Sequence, residues 1–163
     1  MHTTFKGCNN LKAVVLPSNV RIVNSSCFAD TLINKIVIPG TVEELYSSVF
    51  YNCINLEQVI IQEGQATSFK TGKDYIFGGT KVETIALPSR TTYIEGYFYR
   101  DSKIKNTYVK ATTPPQLILG WGDGAYNLYV PTGCLEVYKA ATNWSKFRSI
   151  QEYDFVTNPD NVE

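Results

Sequence analysis

Short apolar runs alternate along this chain with polar, turn-forming stretches, and the same run keeps returning. Asn10-Leu11-Lys12-Ala13-Val14-Val15-Leu16-Pro17 is followed by Asn34-Lys35-Ile36-Val37-Ile38-Pro39, by Asn55-Leu56-Glu57-Gln58-Val59-Ile60-Ile61 and by Val82-Glu83-Thr84-Ile85-Ala86-Leu87-Pro88. The first apolar position falls at Leu11, Ile33, Leu56, Val82 and Ile104, at intervals of 22, 23, 26 and 22 residues. A degenerate sixth unit occupies residues 125–131. Phe5, Phe28, Phe50 and Phe77 lie just ahead of successive runs, a second landmark in the same register. Between each run and the next Phe comes another β-like stretch, at residues 19–22, 41–45 and 92–94.

Two landmarks that share a period of roughly 20–50 residues are the signature of stacked repeats. Successive side chains of a strand point to opposite faces. Val14, Leu16 and their equivalents are therefore predicted to point inward, and Val15, Val37, Ile60, Ala86, Tyr108 and Tyr129 outward. Beside that outward column runs a second one: Ala13, Lys35, Gln58, Thr84, Asn106 and Asn127. One repeat cannot hide its own apolar face, so neighbours must stack to make the core. The prediction is a mainly-β, right-handed solenoid of about six short turns over residues 5–131. Residues 63–73, inside the longest interval, are predicted to form a surface loop.

The C-terminal part changes character. Thr113-Pro114-Pro115 and the glycine-rich residues 120–124 break the pattern. Thr132 is the predicted N-cap of a helix over 133–142, with Leu135, Val137, Tyr138 and Ala141 on its apolar side. Trp144, Phe147 and Ile150 extend that surface. Residues 132–153 are read as a helical cap over the last turn, and 154–163 as a polar tail. The whole chain, 1–163, is expected to be one repeat domain. Phe5 begins mid-repeat, so further sequence or a partner is expected at that end.

Cysteines and charge narrow the chemistry. Cys8, Cys27, Cys53 and Cys134 include no CxxC pair. Cys8 and Cys53 are predicted at equivalent interior positions two turns apart, about 10 Å, beyond the reach of a disulfide. All four are expected as free thiols. With 15 Lys+Arg against 15 Asp+Glu the formal net charge is zero, which disfavours a nucleic-acid binder. No apolar run approaches the roughly 20 residues that span a bilayer.

Candidate catalysts are scarce. His2, the only histidine, sits at the terminus, so no Ser/His/Asp or Cys/His arrangement is expected. Glu43 and Glu44 are adjacent and should face opposite ways on a strand, unsuited to paired carboxylate chemistry. Asp123 between glycines reads as a turn, Gly78-Gly79 as a turn lacking the Lys of a phosphate loop, and Lys103, Lys105 and Lys110 as solvated charges. Asn24-Ser25-Ser26 and Asn143-Trp144-Ser145 match the glycosylation pattern, a match short enough to occur by chance. No catalytic residue, metal ligand or cofactor site is assigned.

The spacing of Phe5-x-Gly7-Cys8-x-Asn10-Leu11-x-x-Val14-x-Leu16-Pro17, closing at Cys27-Phe28, resembles the BspA-like leucine-rich repeat of bacterial surface proteins. Leu128-Tyr129-Val130-Pro131-Thr132-Gly133-Cys134, followed by Tyr138-Lys139, Ala141 and Trp144, is similar to the closing segment of such proteins from anaerobic gut and oral bacteria. That resemblance implies a secreted or surface-attached protein linked to adhesion, with no export signal within this chain.

What remains is a surface. Lys35, Gln58, Thr84, Asn106, Tyr108, Asn127 and Tyr129 form the candidate ligand-binding sheet face, with the Tyr108/Tyr129 end the strongest part. Tyr offers contact area at small entropic cost. Three functions stay open: a non-catalytic module binding a protein or cell-surface ligand, a carbohydrate-binding accessory of a glycan-processing system, and a structural spacer.

Overall fold

Parallel strands need a long return path, and each repeat supplies one. The computed structural model describes residues 4–72, 74–118 and 126–158. His2, Lys73, the segment 120–124 with Asp123, and residues 159–163 lie outside the described residues. In chain order the strands are β1 (Ile22–Val23), β2 (Lys35–Ile38), β3 (Glu44–Leu45), β4 (Gln58–Ile61), β5 (Phe69–Thr71) and β6 (Thr84–Leu87). There follow β7 (Thr91–Ile94), β8 (Asn106–Val109), β9 (Gln116–Leu117), β10 (Asn127–Pro131) and β11 (Ser149–Tyr153). One short helix, α1, spans Leu135–Ala140.

The return stretches pair in the order β1-β3-β5-β7-β9, and the repeated apolar runs form β6-β8-β10-β11 and, separately, β2-β4. Every one of these pairings is parallel. This is the predicted mainly-β solenoid of about six turns. Ile36, Ile38, Val59, Ile61, Ile85, Leu87, Val109, Leu128 and Val130 enter the core from the repeated runs, and Leu45, Phe69, Ile94 and Leu117 from the return sheet.

The third side is a column of turns. Phe5, Phe28, Phe50 and Phe77 stack nearly parallel, with ring centres 5.5, 6.0 and 5.7 Å apart. Phe98 closes the series edge-on to Phe77 at 5.2 Å. Each such ring pair adds about 0.5–1.5 kcal/mol beyond its burial. Backbone bonds hold the same register: Phe5, Phe28 and Phe50 donate their N–H to the carbonyls of Cys27, Val49 and Ile76 one turn on. Two residues past each of the first four Phe the backbone is left-handed, at Gly7, Asp30, Asn52 and Gly79. Gly, Asn and Asp are the residues that enter that region most readily, and here the Asn52 amide also donates to the Asp30 carboxylate at 2.8 Å.

Four expectations are corrected. The stretch 63–73 is not only a loop: it contributes β5, and Phe69 is fully buried. Arg90 fastens the segment, donating to the carbonyls of Gln62 (2.8 Å) and Val42 (3.1 Å) with its guanidinium 5.5 Å from the Phe69 ring centre. Burial pushes that guanidinium below its ordinary pKa, an effect Glu63 partly offsets. The segment crosses Gly40 at Gly64, where a Cβ on either glycine would come within 2.6 Å of the other's backbone, so neither position has room for a side chain.

Second, residues 13–16 form no strand. They stand away from β2 across an open groove of about 420 Å³, leaving Val14 and Leu16 half-buried and Val15 92 % exposed. Third, Cys8 is exposed, unlike its buried equivalent Cys53, because no turn packs on its outer side among the described residues. Fourth, the helix is shorter than expected and Thr132 does not cap it: Cys134 is the N-cap residue and makes no side-chain cap bond. Glu152 on β11 serves that end instead, accepting from the N–H groups of Gly133 (2.9 Å) and Leu135 (3.3 Å). A helix of six residues buries only Tyr138, so Val137, expected inside, is exposed.

The C-terminal segment is tied down by polar atoms on buried aromatics. Tyr138 donates to the Ala111 carbonyl at 2.7 Å and the Trp144 indole to that of Pro115 at 3.0 Å, while Trp144 packs between Tyr138 and Phe147. The segment then continues as β11, an added rung of the broad sheet.

All four cysteines are free, and burial raises the Cys53 thiol while its Sγ donates to the Phe28 carbonyl at 3.0 Å. In native protein Cys8 should react with a thiol reagent first and Cys53 far more slowly, since thiolate fraction and access set the rate. Four thiols should titrate in denaturant without reductant. Equal native rates for these two, or a missing thiol, would contradict the assignment.

Candidate functional site

The outward positions are ordered by strand register. On the two-stranded sheet Lys35 stands beside Gln58 and Val37 beside Ile60. On the four-stranded sheet Thr84, Asn106, Asn127 and Ser149 occupy one column, and Ala86, Tyr108, Tyr129 and Gln151 the next. β4 and β6 are not paired, so the seven predicted face residues divide: Lys35 and Gln58 in one sheet, Thr84, Asn106, Tyr108, Asn127 and Tyr129 in the other. Lys35 is exposed and the remaining six are half-buried. Ala86, short and flanked by longer neighbours, is buried.

The second group has internal structure. The Asn127 amide donates to the Asn106 side-chain oxygen at 3.0 Å, and the Ser149 hydroxyl to that of Asn127 at 3.1 Å. This polar ladder runs across three rungs. Alongside it Tyr108 and Tyr129 stack at 4.3 Å with their planes 10° apart. Tyr153 meets both edge-on, at 5.0 and 6.2 Å, and Phe155 meets Tyr108 at 6.3 Å. Burial raises the Tyr108 phenol pKa, and Tyr129 and Tyr153 add to the shift. The hydroxyl therefore stays a neutral donor across the physiological range.

Tyr153, Phe155 and Ser149 are the members sequence reading missed. The signal for Ser149 was the period itself, for it follows Asn127 by 22 residues. Phe155 is brought in by a local turn. Asp154 accepts from the N–H groups of Val156 (2.9 Å) and Thr157 (3.1 Å) and from the Thr157 hydroxyl (2.8 Å). The segment expected to be a polar tail thus begins by folding Phe155 back onto Tyr108 and Tyr153.

Charged side chains pair rung to rung along the solenoid, on the return sheet as well as beside the repeated runs. Lys105 binds Glu83 at 2.9 Å, Lys81 binds Glu57 at 3.0 Å, and Arg21 pairs with Glu43. Exposed pairs of this kind contribute about 0–1 kcal/mol each. Among the described residues no group of three His, Cys, Asp or Glu side chains converges as a metal site, and no helix is long and apolar enough to cross a membrane.

Stacked parallel rungs of this period, with a polar and aromatic outer face, define a leucine-rich-repeat solenoid. Residues 2–113 match the BspA type leucine rich repeat region in six copies, and the chain belongs to that family. No curated protein sequence matches it. It is similar in structure to a leucine-rich repeat protein from Bacteroides ovatus, at 16 % identity and a TM-score of 0.38, over 92 % of this chain. The chain spans about half the length of that protein, 51 %. Tyr153 and Phe155 lie beyond both the family-matched residues and the sixth repeat unit, so the repeat pattern accounts for the Tyr108-Tyr129 stack but not for the rings that close on it.

Hydrogen bonds to the ionised carboxylate hold the Asp154 pKa below the ordinary aspartate value. The turn it organises gains stability above the unfolded pKa and loses it as pH falls through the lowered folded value. Contacts between Phe155 and Tyr108, followed by nuclear Overhauser effects, should persist from neutral pH down through the usual aspartate range and vanish only below it. Asp154→Ala should abolish them at neutral pH, and contacts that survive this substitution would show that the carboxylate does not organise the turn.

Proposed function

We propose that the protein is a non-catalytic interaction module of a bacterial surface or secreted protein, which binds a partner protein or cell-surface ligand through the outer face of β8, β10 and β11. The observation that carries this reading is the pair of adjoining columns: the Asn106-Asn127-Ser149 ladder beside the Tyr108-Tyr129 stack. Both are fixed by a hydrogen-bonded sheet, so little side-chain freedom is left to lose on binding. Tyrosines are enriched among residues that dominate interface energetics. Membership of a leucine-rich-repeat family supports an interaction role. The family resemblance to bacterial surface proteins supports the location, and also the view that the module is not an enzyme.

A carbohydrate ligand is the second reading, favoured by amides lying next to aromatic rings, since sugars offer both hydroxyls and apolar ring faces. Binding to immobilised extracellular proteins and to a glycan array, compared between the native protein and Tyr108→Ala or Tyr129→Ala, separates the readings. Protein binding weakened about 30-fold or more by either change fits the proposal, because hot-spot truncations cost about 2 kcal/mol or more. Loss of glycan binding alone transfers the face to carbohydrate. A face inert on both panels leaves a spacer and overturns the proposal.

A further inference from the structure

A second surface lies on the turn side of the solenoid, away from the sheet face. There Gly78 is the floor of a small aromatic enclosure. A Cβ on it would meet the Tyr51 ring at 3.1 Å, the Arg100 carbonyl at 3.3 Å and the Tyr75 Cβ at 3.3 Å. Tyr51 meets Tyr75 edge-on at 5.8 Å. The Arg100 guanidinium carbon lies 4.8 Å from the Tyr75 ring centre and 5.5 Å from that of Tyr97. The backbone fixes this arrangement: Tyr75 N–H donates to the Tyr97 carbonyl across the turns, and Arg100 N–H donates to the same carbonyl. Tyr75 also holds a left-handed backbone, φ 55°, where the two preceding turns have Ser26 and Ser48.

Arg100 is thus positioned by rings and not by an anion. No acidic side chain pairs with it among the described residues, although Asp101 follows it and Asp74 precedes Tyr75. A guanidinium held over aromatic faces keeps its planar fork of donors free at the edge, and that fork matches a carboxylate. Tyr51 and Tyr97 are each about two-fifths exposed, at 42 and 40 %, and supply apolar surface beside the cation. We propose that Tyr51, Tyr75, Tyr97 and Arg100 form a docking site for a protein partner, which presents one Asp or Glu carboxylate to Arg100 and a neighbouring apolar side chain to the tyrosines. A lone guanidinium with no acidic side-chain partner among the described residues suits a single carboxylate. It does not suit the dense charge of a nucleic acid or an anionic membrane, which calls for several cations together.

The test is a titration of the intact chain, read by NMR at the Arg100 side chain and the three tyrosine rings. The probes are the capped dipeptide acetyl-Glu-Leu-amide, its Gln-Leu counterpart and inorganic phosphate. The Glu peptide should shift these signals with millimolar affinity and bind about fivefold more tightly than the Gln peptide, the upper scale of an exposed ion pair. Arg100→Gln, an exposed change, should erase that preference while signals from the sheet residues stay in place. Equal binding of the two peptides, phosphate binding as tightly as the Glu peptide, shifts unchanged in Arg100→Gln, or no shift at all would each overturn the proposal. Failure at this site leaves the sheet-face reading untouched, because that face is probed by Tyr108 and Tyr129.

Discussion

Each turn of this chain carries an apolar side that only the adjacent turns can cover, and everything else in the structure follows from that mutual dependence. Ile36 and Ile38 are hidden because Val59 and Ile61 lie in register beside them, and the same relation repeats along β6, β8 and β10. The phenylalanine column expresses the constraint most plainly. Phe50 is buried with a ring stacked on each side, whereas Phe5, with Phe28 on one side, is 37 % exposed. In a quasi-one-dimensional stack, stability is a sum of intrinsic and nearest-neighbour contributions. A rung with one neighbour is therefore weaker than a rung with two. The half-buried Val14 and Leu16 and the exposed Cys8 are the same effect seen elsewhere in the first turn.

The far end meets the constraint differently. A helix too short to bury more than Tyr138 does not close the stack alone. The chain uses Trp144 and Phe147 as a plug, then lays β11 against β10 as one more rung. That extra rung also brings Ser149 to the asparagine ladder and Tyr153 to the tyrosine stack. Closure of the solenoid and assembly of the outer face are consequently one event, and weakening the Trp144 or Tyr138 contacts should loosen both.

Much of this was legible in the sequence because the period writes the strand order directly. The runs at Ile33, Leu56, Val82 and Ile104 and the inward-outward alternation needed no more than spacing and the two-residue repeat of a strand. What escaped were features that depend on contacts distant in sequence. Phe69 looked like part of a loop because its burial comes from Arg90 and the return sheet, neither of which a local pattern reports. Thr132 looked like a cap because Ser and Thr favour that position, yet Glu152, from the following strand, took the role. The alternation placed Lys35, Gln58, Thr84, Asn106, Tyr108, Asn127 and Tyr129 on the outer side of their strands, but the break between β4 and β6 and the arrival of Tyr153 and Phe155 were invisible to the repeat. The Arg100 enclosure lay in the phenylalanine turns, at positions whose residue type changes from turn to turn, as Tyr75 does after Ser26 and Ser48.

The dependence of each rung on its neighbours is tested most directly by equilibrium denaturation of Phe50→Ala and Phe5→Ala beside the unaltered chain. Phe50→Ala is expected to cost about 3–5 kcal/mol, the usual range for a fully buried Phe. Phe5→Ala, at the half-covered end of the same column, should cost less than half as much. Equal losses at the two positions would contradict a core built from shared, nearest-neighbour burial.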